Sequence, residues 1–325
     1  MGEPGGVGPE LTLKAWLKQH EYGQPFVFVG DAALLEATAL RLALRVPVRR
    51  IETPAAASAV FRSALPVLDM PLSDVAEPGV ASSTNALAVI NSIERAVALV
   101  KAGEACAIVT NPIQKHSLHQ AGFSHPGHTE FLQELAGPGC RATMLLACEG
   151  LRVVPVTIHQ SLRCAIEALS RDMIVETALA TEAGLRLDFG IEAPRLAIAA
   201  LNPHAGENGD MGDEEIWMVA PAVEELRRRG LSVQGPMPPD TMFTARARRH
   251  YDAAICLYHD QALIPLKTLD ADGGVNVTLG LPFVRTSPDH GTALDIAGKG
   301  VADPGSLVAA LEMAGQIAMR RANSR

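Results

Sequence analysis

Short apolar runs of strand length alternate with amphipathic stretches through most of this 325-residue sequence. The apolar runs are FVFVG, CAIVT, RATMLLAC, RVVPVTI, RLAIAAL and DAAICLY. Between them lie stretches with helical spacing, such as TNALAVINSIERAVALVKAG and DAALLEATALRLAL, where Asp31 is placed to cap the helix. Buried strands separated by amphipathic helices predict an α/β fold with a largely parallel sheet.

The length of the chain suggests roughly two domains. Gly/Pro-rich joints near residues 122–127 and 298–305 are the best places for the chain to pass from one domain to the other. We therefore predict a discontinuous first α/β domain of residues 1–121 and 300–325. Residues 122–299 are predicted to form a second α/β domain inserted into the first.

Charge and composition exclude several classes of partner. Lys and Arg number 28 against 36 Asp and Glu, a formal balance of −8, and no basic stretch occurs. That balance, with 4% aromatic residues, argues against nucleic acid as a partner. No apolar run approaches the roughly 18 residues of a membrane span, and the opening does not resemble a signal peptide. Five cysteines without a CxxC pair fit reduced thiols. We expect a cytoplasmic protein that binds neither membranes nor nucleic acid.

Three of the strand-like runs each lead into a histidine. RVVPVTI runs into His159, RLAIAALNP into His204 and DAAICLY into His259. Ligands of open α/β sheets bind beyond the carboxyl ends of the strands, so these imidazoles can converge although they are far apart in sequence. Three histidine ligands with an open position are typical of a catalytic divalent-metal site. The alternative is that each histidine caps or hydrogen-bonds its own loop. Asp260 and Gln261 follow the third histidine directly, and either side chain is suited to orienting a metal-binding histidine.

A second group of polar residues indicates a small anionic substrate. Lys267, Asn276 and Arg285 lie along the Gly-rich stretch LKTLDADGGVNVTLGLPFVRTSPDHG, where two cations suit a phosphate or carboxylate. His128 and Thr129, in PGHTEF, lie at a predicted helix start, where exposed N–H groups favour an anion. The alternatives are solvated surface charges for the first set and ordinary helix capping for the second.

The glycine-rich opening GEPGGVGPE looks like a phosphate cradle, but it lacks the Gly-Lys-Ser/Thr ending of a P-loop. No G-x-G-x-x-G occurs either, which disfavours a nucleotide kinase and an ordinary Rossmann dehydrogenase. The residues alone therefore predict a metal-dependent enzyme with a small anionic substrate. A metal-dependent phosphoester hydrolase is an alternative, although no carboxylate cluster suggests a bimetallic site. A binding protein with a structural metal is another, although no fourth metal ligand is evident.

The motifs of the chain, in their order, resemble those of the 4-hydroxythreonine-4-phosphate dehydrogenases. The resemblance covers essentially the whole sequence, and its most specific segments are LNPHAGE, YHDQ and GLPFVRTS-DHGTA. It implies metal- and NAD(P)-dependent oxidation of the C3 hydroxyl of 4-phosphooxy-L-threonine in pyridoxal 5′-phosphate biosynthesis, followed by decarboxylation to 3-amino-2-oxopropyl phosphate. It also implies a fold like that of isocitrate and isopropylmalate dehydrogenases, with two α/β/α domains and a cleft between them. Such a fold explains an NAD enzyme without the Rossmann glycines.

Carried over residue by residue, the resemblance assigns the site residues. The implied ligands of a divalent cation, which is zinc, magnesium or cobalt, are His159, His204 and His259. The implied substrate-binding residues are His128, Thr129, Lys267, Asn276 and Arg285. The implied catalytic residues are Asp240 and Lys267. The implied NAD or NADP contacts are His290, Gly291, Thr292 and Asp295. The resemblance further implies a homodimer with shared active sites, and a second domain that carries most of the metal, substrate and dimer contacts.

Asp295 lies in HGTALDIAGKG, which is similar to the loop by which isopropylmalate dehydrogenases hold the adenosine of their cofactor. A carboxylate accepts hydrogen bonds from an unphosphorylated ribose and repels a 2′-phosphate, which favours NAD over NADP. The alternative is that Asp295 caps the turn before Gly298.

Two departures from the family pattern bear on these expectations. Met1 directly precedes Gly2, and Glu3 and Gly6 replace the usual Asp and Ala, so either the first strand of the family is absent or the chain starts upstream. The segment LKTLDADGGVNV also differs from its commonest form. Related enzymes oxidise four-carbon sugar-acid phosphates and cyclic diols, and these substrates are the alternatives within the family.

Overall fold

The computed structural model of the chain describes residues 1–323. The strands are β1 (Phe28–Gly30), β2 (Val48–Ile51), β3 (Leu65–Asp69), β4 (Ala107–Val109), β5 (Thr143–Cys148), β6 (Leu151–Pro155), β7 (Arg195–Ala199), β8 (Ser232–Met237), β9 (Ala253–Cys256), β10 (Val275–Leu279) and β11 (Val284–Pro288). The helices are α1 (Gly8–Gln19), α2 (Ala32–Arg41), α3 (Ala57–Val60), α4 (Ala86–Lys101), α5 (Lys115–Gln120), α6 (His128–Ala136), α7 (Leu162–Ala168), α8 (Arg171–Phe189), α9 (Ala220–Arg228), α10 (Pro239–Met242), α11 (His259–Leu269) and α12 (Gly305–Asn323).

Local chemistry explains where several helices begin and end. The Asp31 carboxylate accepts a hydrogen bond from the Leu34 N–H at 2.8 Å, so the predicted cap of α2 is confirmed. α4 ends just before Gly103, whose φ of 75° is a left-handed conformation that favours glycine. Among residues 1–323, no helix combines the length and the apolar character needed to cross a membrane.

The chain separates into two compact units, of which unit 1 comprises Met1–Cys140 and Leu281–Ala318. Unit 1 contains a parallel sheet in the order β1-β3-β2 and the parallel pair β4-β11. Helices α1 and α2 pack on the first sheet, where Trp16, Leu35 and Phe61 belong to one buried apolar cluster. Apolar faces that close on one core in this way account for most of the stability of such a unit.

Unit 2 comprises Arg141–Gly280 and, at the end of the described chain, residues 319–323. Its strands follow the order β10-β5-β6-β9-β7-β8, and β6, β9, β7 and β8 are parallel, as predicted. β5 is the exception, because it lies antiparallel to both β10 and β6. Only Glu149 and Gly150 connect β5 to β6, whereas a parallel pair needs a crossover of roughly a dozen residues or more.

Parallel pairing brings the carboxyl ends of three neighbouring strands to one edge of the unit 2 sheet. Ile255 of β9 is in register with Val154 of β6 on one side and with Ile198 of β7 on the other. Each of these three strands leads into one of the predicted metal ligands. The premise that the three histidines start from one sheet edge is therefore confirmed.

The division into units differs from the predicted domain boundaries at both ends of the second domain. Helix α6 packs against α4, and β11 pairs with β4, so both belong to unit 1. The Gly-rich joint at residues 122–127 is a turn within unit 1, because these long-range partners outweigh the local break in the sequence. Residues 324 and 325 of the predicted first domain lie outside the described residues.

Candidate active site

Two of the three predicted metal ligands lie close together in unit 2. His159 follows β6, and His259 is the first residue of α11, shortly after β9. Their ring centroids are 6.0 Å apart, and both residues line a pocket of about 460 Å³. An Asp260 carboxylate oxygen lies 2.7 Å from Nδ1 of His259. A histidine that donates its Nδ1–H to a carboxylate keeps Nε2 as a ligand atom, so Asp260 is suited to orienting His259 towards a cation.

The third predicted ligand, His204, lies on a strained turn beyond β7. Residues 204–208 all have positive φ, at 52°, 54°, 75°, 41° and 58°, and only one of them is glycine. Left-handed conformations cost other residues roughly 1–2 kcal/mol each, so neighbouring groups must hold this turn. Within residues 1–323, no three His, Cys, Asp or Glu side chains are arranged to hold a metal ion. The three-histidine metal site therefore stays a prediction.

A buried arginine forms the centre of a second polar group, which lies in unit 1. Arg285, on β11, is 3% exposed, and its Nη2 donates a hydrogen bond to Thr110 Oγ1 at 2.7 Å. Burial lowers the pKa of Arg285 to about 10, because the buried cation loses hydration. The guanidinium is still charged at neutral pH, and a buried cation of this kind is suited to binding an anion.

His128, the first residue of α6, lies within the electrostatic reach of Arg285. Burial, and after it the positive charge of Arg285, lowers the pKa of His128 well below its usual value. The imidazole is therefore neutral at neutral pH, and its buried Nε2 has no hydrogen-bond partner within residues 1–323. The buried Oδ1 of Asn111 has no partner in the described chain either. Buried polar atoms without partners are rare, and here they are suited to meeting the polar groups of a ligand.

The lowered pKa of His128 predicts a loss of stability in acid. An unfolded histidine titrates near pH 6.5, whereas the folded His128 titrates well below it, so the unfolded chain binds more protons as the pH falls through 6.5. We expect the free energy of unfolding to fall by up to about 1.4 kcal/mol per pH unit from this group. Urea unfolding at a series of pH values should show that this slope is lost in His128→Gln. The exposed His116 is the matched control, and an unchanged slope in His128→Gln would contradict the assignment.

The remaining substrate and catalytic candidates are divided between the units. Thr129 is half-buried on α6 in unit 1, whereas Lys267, in the last turn of α11, and Asn276, on β10, belong to unit 2. Oδ1 of Asn276 is buried and has no hydrogen-bond partner within residues 1–323. Asp240 is exposed in the first turn of α10. The predicted second domain contains all the substrate candidates, but the structure assigns His128, Thr129 and Arg285 to unit 1.

The predicted cofactor residues lie in one turn-rich loop of unit 1, between β11 and α12. His290, Gly291 and Asp295 are exposed, and Thr292 is half-buried. The Thr292 carbonyl accepts a hydrogen bond from the Val7 N–H at 3.0 Å, which ties the loop to the start of the chain. An exposed carboxylate on an anchored loop is suited to accepting hydrogen bonds from ribose hydroxyls.

The glycine-rich opening is buried backbone, not the exposed phosphate cradle that its sequence suggests. Residues 2–8 are buried. A β-carbon on Gly5 would lie 2.0 Å from the Val80 carbonyl oxygen, and one on Gly6 would lie 2.9 Å from that of Thr292. These glycines are needed for close approach of one backbone to another. A run of glycines is therefore as consistent with closely packed backbone segments as with a phosphate-binding loop.

Thr110 and Asn111 are polar residues near Arg285 that sequence reasoning missed. Both are buried and directly follow β4. Thr110 accepts the hydrogen bond from Arg285, and Asn111 Nδ2 donates one to Thr12 Oγ1 at 3.1 Å. The rule that selected the three histidines, polar residues at the carboxyl end of a strand, also applies to this pair.

Comparisons with known proteins agree with the resemblance of the motifs. The family profile described as pyridoxal phosphate biosynthetic protein PdxA matches residues 21–314. A 4-hydroxythreonine-4-phosphate dehydrogenase of Methylorubrum populi is 54% identical and aligns over 100% of this chain and 95% of its own length.

Solved structures agree as well. The crystal structure of a 4-hydroxythreonine-4-phosphate dehydrogenase from Klebsiella pneumoniae has a TM-score of 0.86 at 41% identity, covering 98% of this chain and 96% of that one. A terephthalate 1,2-cis-dihydrodiol dehydrogenase from Burkholderia xenovorans has a TM-score of 0.63 at 28% identity, covering 97% and 96%. The predicted α/β fold class is thereby confirmed.

Proposed function

Because the chain belongs to the PdxA family of pyridoxal phosphate biosynthetic proteins, we propose that it is a 4-hydroxythreonine-4-phosphate dehydrogenase. It oxidises the C3 hydroxyl of 4-phosphooxy-L-threonine with NAD or NADP, and the product loses carbon dioxide to give 3-amino-2-oxopropyl phosphate. The structural observation that carries the proposal is the buried Arg285 beside a neutral His128. A buried cation next to a polar atom without a partner suits the phosphate of such a substrate.

Arg285 and His128 bind and orient the substrate in this proposal. The guanidinium donates two hydrogen bonds in a planar fork, which fixes the phosphate in direction as well as in position. A neutral His128 can donate a hydrogen bond without adding a second buried charge. The binding energy gained at the phosphate holds the C3 hydroxyl in place for the reaction. Thr129, Lys267 and Asn276 are the further proposed substrate contacts, and Asp240 and Lys267 are the proposed catalytic residues.

The histidines of unit 2 have the chemistry of a divalent-metal site. Imidazole nitrogens suit zinc or cobalt better than magnesium, which prefers oxygen ligands, and Asp260 is suited to orienting His259. His159, His204 and His259 are the residues proposed to hold the cation. A bound cation supplies Lewis-acid chemistry, which lowers the pKa of a substrate hydroxyl and stabilises negative charge at a neighbouring oxygen.

The nicotinamide cofactor, which accepts the hydride, is proposed to bind at the loop that contains His290, Gly291, Thr292 and Asp295. In Asp295→Ala we expect the Michaelis constant for NAD to rise by roughly tenfold, because a charged acceptor of ribose hydrogen bonds is lost. The constant for NADP should change less, or fall, because the carboxylate repels a 2′-phosphate. Initial rates with each cofactor measure this, with the exposed Asp303 as the control position. Unchanged constants for both cofactors would show that Asp295 only caps its turn.

One assay tests the proposed function. The metal-stripped protein is given 4-phosphooxy-L-threonine, other phosphorylated hydroxy acids or a cyclic diol, with NAD or NADP, before and after cobalt or zinc is restored. We expect reduced nicotinamide and carbon dioxide to form only with the phosphorylated threonine and only after the metal is restored. Phosphate release without a cofactor would instead identify a hydrolase, and turnover of a cyclic diol would identify the activity named for the Burkholderia xenovorans enzyme.

We further propose that the enzyme is a homodimer whose subunits share each active site. Ile216, Trp217 and Ile264 of unit 2 are large apolar side chains, each more than half exposed, and such residues often mark an interface. We expect the mass of a dimer in sedimentation. If the histidines and Arg285 of one site come from different subunits, mixing His259→Ala with Arg285→Ala should raise turnover at low substrate concentration above that of either variant alone. No such rise after subunit exchange would show that each subunit holds a complete site.

A further inference from the structure

A buried glutamine side chain joins the ends of the two strands that lead to His259 and His204. Gln261 is 5% exposed, and its Oε1 accepts a hydrogen bond from the Leu257 N–H at 2.7 Å, just beyond β9. Its Nε2 donates to the Ala200 carbonyl oxygen, also at 2.7 Å, just beyond β7. Gln261 lies two residues after His259 on α11, so one amide group connects the helix of one predicted ligand to the strand of another.

A buried carboxylate continues this connection to the strained turn. Glu215 is 4% exposed, and its Oε1 accepts hydrogen bonds from the N–H groups of Leu201 and Asn202 at 2.7 and 2.8 Å. Its Oε2 accepts a third from Nδ2 of Asn202 at 2.9 Å. A β-carbon on Gly206 would lie 2.7 Å from that same oxygen, so the carboxylate packs directly against the left-handed turn.

The strand that leads to His159 is joined to the same set of hydrogen bonds. Thr157 is 3% exposed, and its Oγ1 donates to the Leu257 carbonyl oxygen at 2.8 Å. Leu257 therefore binds Thr157 through its carbonyl and Gln261 through its N–H. The three strand ends are linked by side chains as well as by the backbone pairing of the sheet.

These hydrogen bonds do more than fill space. A buried amide and a buried carboxylate each give up hydration, but apolar side chains of similar size would leave the backbone N–H groups of Leu257, Leu201 and Asn202 without these acceptors. What polar groups add is direction, because each hydrogen bond fixes one backbone atom relative to another. The backbone atoms fixed here belong to residues 200–202 and 257, a few residues before His204 and His259. The Glu215 carboxylate also packs against the turn whose left-handed backbone needs outside support.

We propose that Gln261 and Glu215 are positioning residues of the metal site, which set where His204 stands relative to His259. Gln261 holds α11 against the end of β7, and Glu215 holds the turn of residues 204–208 in its left-handed form. Neither side chain needs to contact the cation. This inference rests on the proposed metal-dependent function, and it assigns a role to two residues outside the three ligands.

The test measures cobalt affinity and the visible spectrum of bound cobalt in metal-stripped protein. Gln261→Met keeps the length of the side chain and removes both hydrogen bonds. We expect its cobalt affinity to fall by roughly 10–100-fold, with a shifted spectrum, as is usual when an outer support of a metal ligand is lost. Glu215→Gln keeps an acceptor for the two backbone N–H groups and should lose less affinity than Glu215→Ala.

The matched control is Thr181→Val, which removes a fully buried hydrogen bond of the same unit, from Thr181 Oγ1 to the Thr177 carbonyl oxygen at 2.7 Å. It should bind cobalt as the unaltered protein does. If Gln261→Met does not fold, Gln261→Glu provides the same comparison, because it keeps the acceptor for Leu257 and loses the donor to Ala200.

Unchanged affinity and spectrum in the Gln261 variants, or an equal loss in Thr181→Val, would overturn the inference. A different result would identify a failure of the proposed function itself. If the unaltered protein and His259→Ala take up cobalt equally, the three-histidine site is wrong, and the positioning role fails with it. Weaker binding in His259→Ala with normal binding in Gln261→Met would leave the metal site standing and remove only the positioning role.

Discussion

Replacing His204 by alanine is expected to abolish tight cation binding and to lower turnover by roughly a thousand-fold or more. A catalytic cation contributes several kcal/mol of transition-state stabilisation, and each 1.4 kcal/mol or so corresponds to a factor of ten in rate. In the proposed site, removal of one of the three imidazoles would leave a cation with two protein ligands, too few to hold it firmly. Metal content and turnover, measured on the same preparation, should fall together.

His250 offers a matched control for this experiment. It is exposed and directly precedes Tyr251 at the amino end of β9, whereas His259 lies beyond the carboxyl end of the same strand. His250→Ala should keep full metal content and turnover. His204→Asn separates the loss of the ligand from strain, because asparagine tolerates the left-handed backbone at this position. Normal metal content in both His204 variants would contradict the assignment.

Replacing Arg285 by alanine is expected to raise the Michaelis constant for 4-phosphooxy-L-threonine by roughly 10–100-fold. The loss of one charge-assisted contact costs about 1.5–3 kcal/mol, which corresponds to one to two decades in affinity. Because Arg285 is buried, a phosphate bound to it would be withdrawn from water, which would strengthen the contact. Steady-state kinetics should show that the Michaelis constant rises for the phosphorylated substrate and not for its dephosphorylated analogue.

Two variants separate binding from folding at this position. Arg285→Met fills most of the space without a charge, and thermal unfolding of this variant shows whether the arginine also supports the β11 region. Arg285→Lys keeps the charge but loses the planar fork and the hydrogen bond to Thr110. Its Michaelis constant should lie between those of the unaltered protein and Arg285→Ala. An equal rise of the Michaelis constant for both substrates would show that Arg285 binds the carboxylate or maintains the fold instead. Preference for a cyclic diol would exclude the phosphate role altogether.

The alternation of apolar and amphipathic segments was enough to predict the α/β class, the main strands of unit 2 and the cap of α2 at Asp31. These features depend on residues close together in the chain, where side-chain periodicity and capping act directly on the backbone. The parallel pairing of β6, β9 and β7 also follows, because strands joined by helices return in the same direction. The convergence of three strand ends that carry histidines was predictable for the same reason.

Other features depend on partners that are distant in the sequence, which no local pattern specifies. Arg285 meets Thr110 across 175 residues, and burial, followed by the charge of Arg285, lowers the pKa of His128. The roles of Gly5, Gly6 and Glu215, and the hydrogen bond by which Gln261 reaches Ala200, likewise appear only when separate segments come together. The periodicity of apolar residues shows which face of a helix or strand is buried, but the tertiary structure determines which residues pack against that face. Burial, shifted pKa values and buried polar atoms without partners are properties of those neighbours, so only the folded chain shows them.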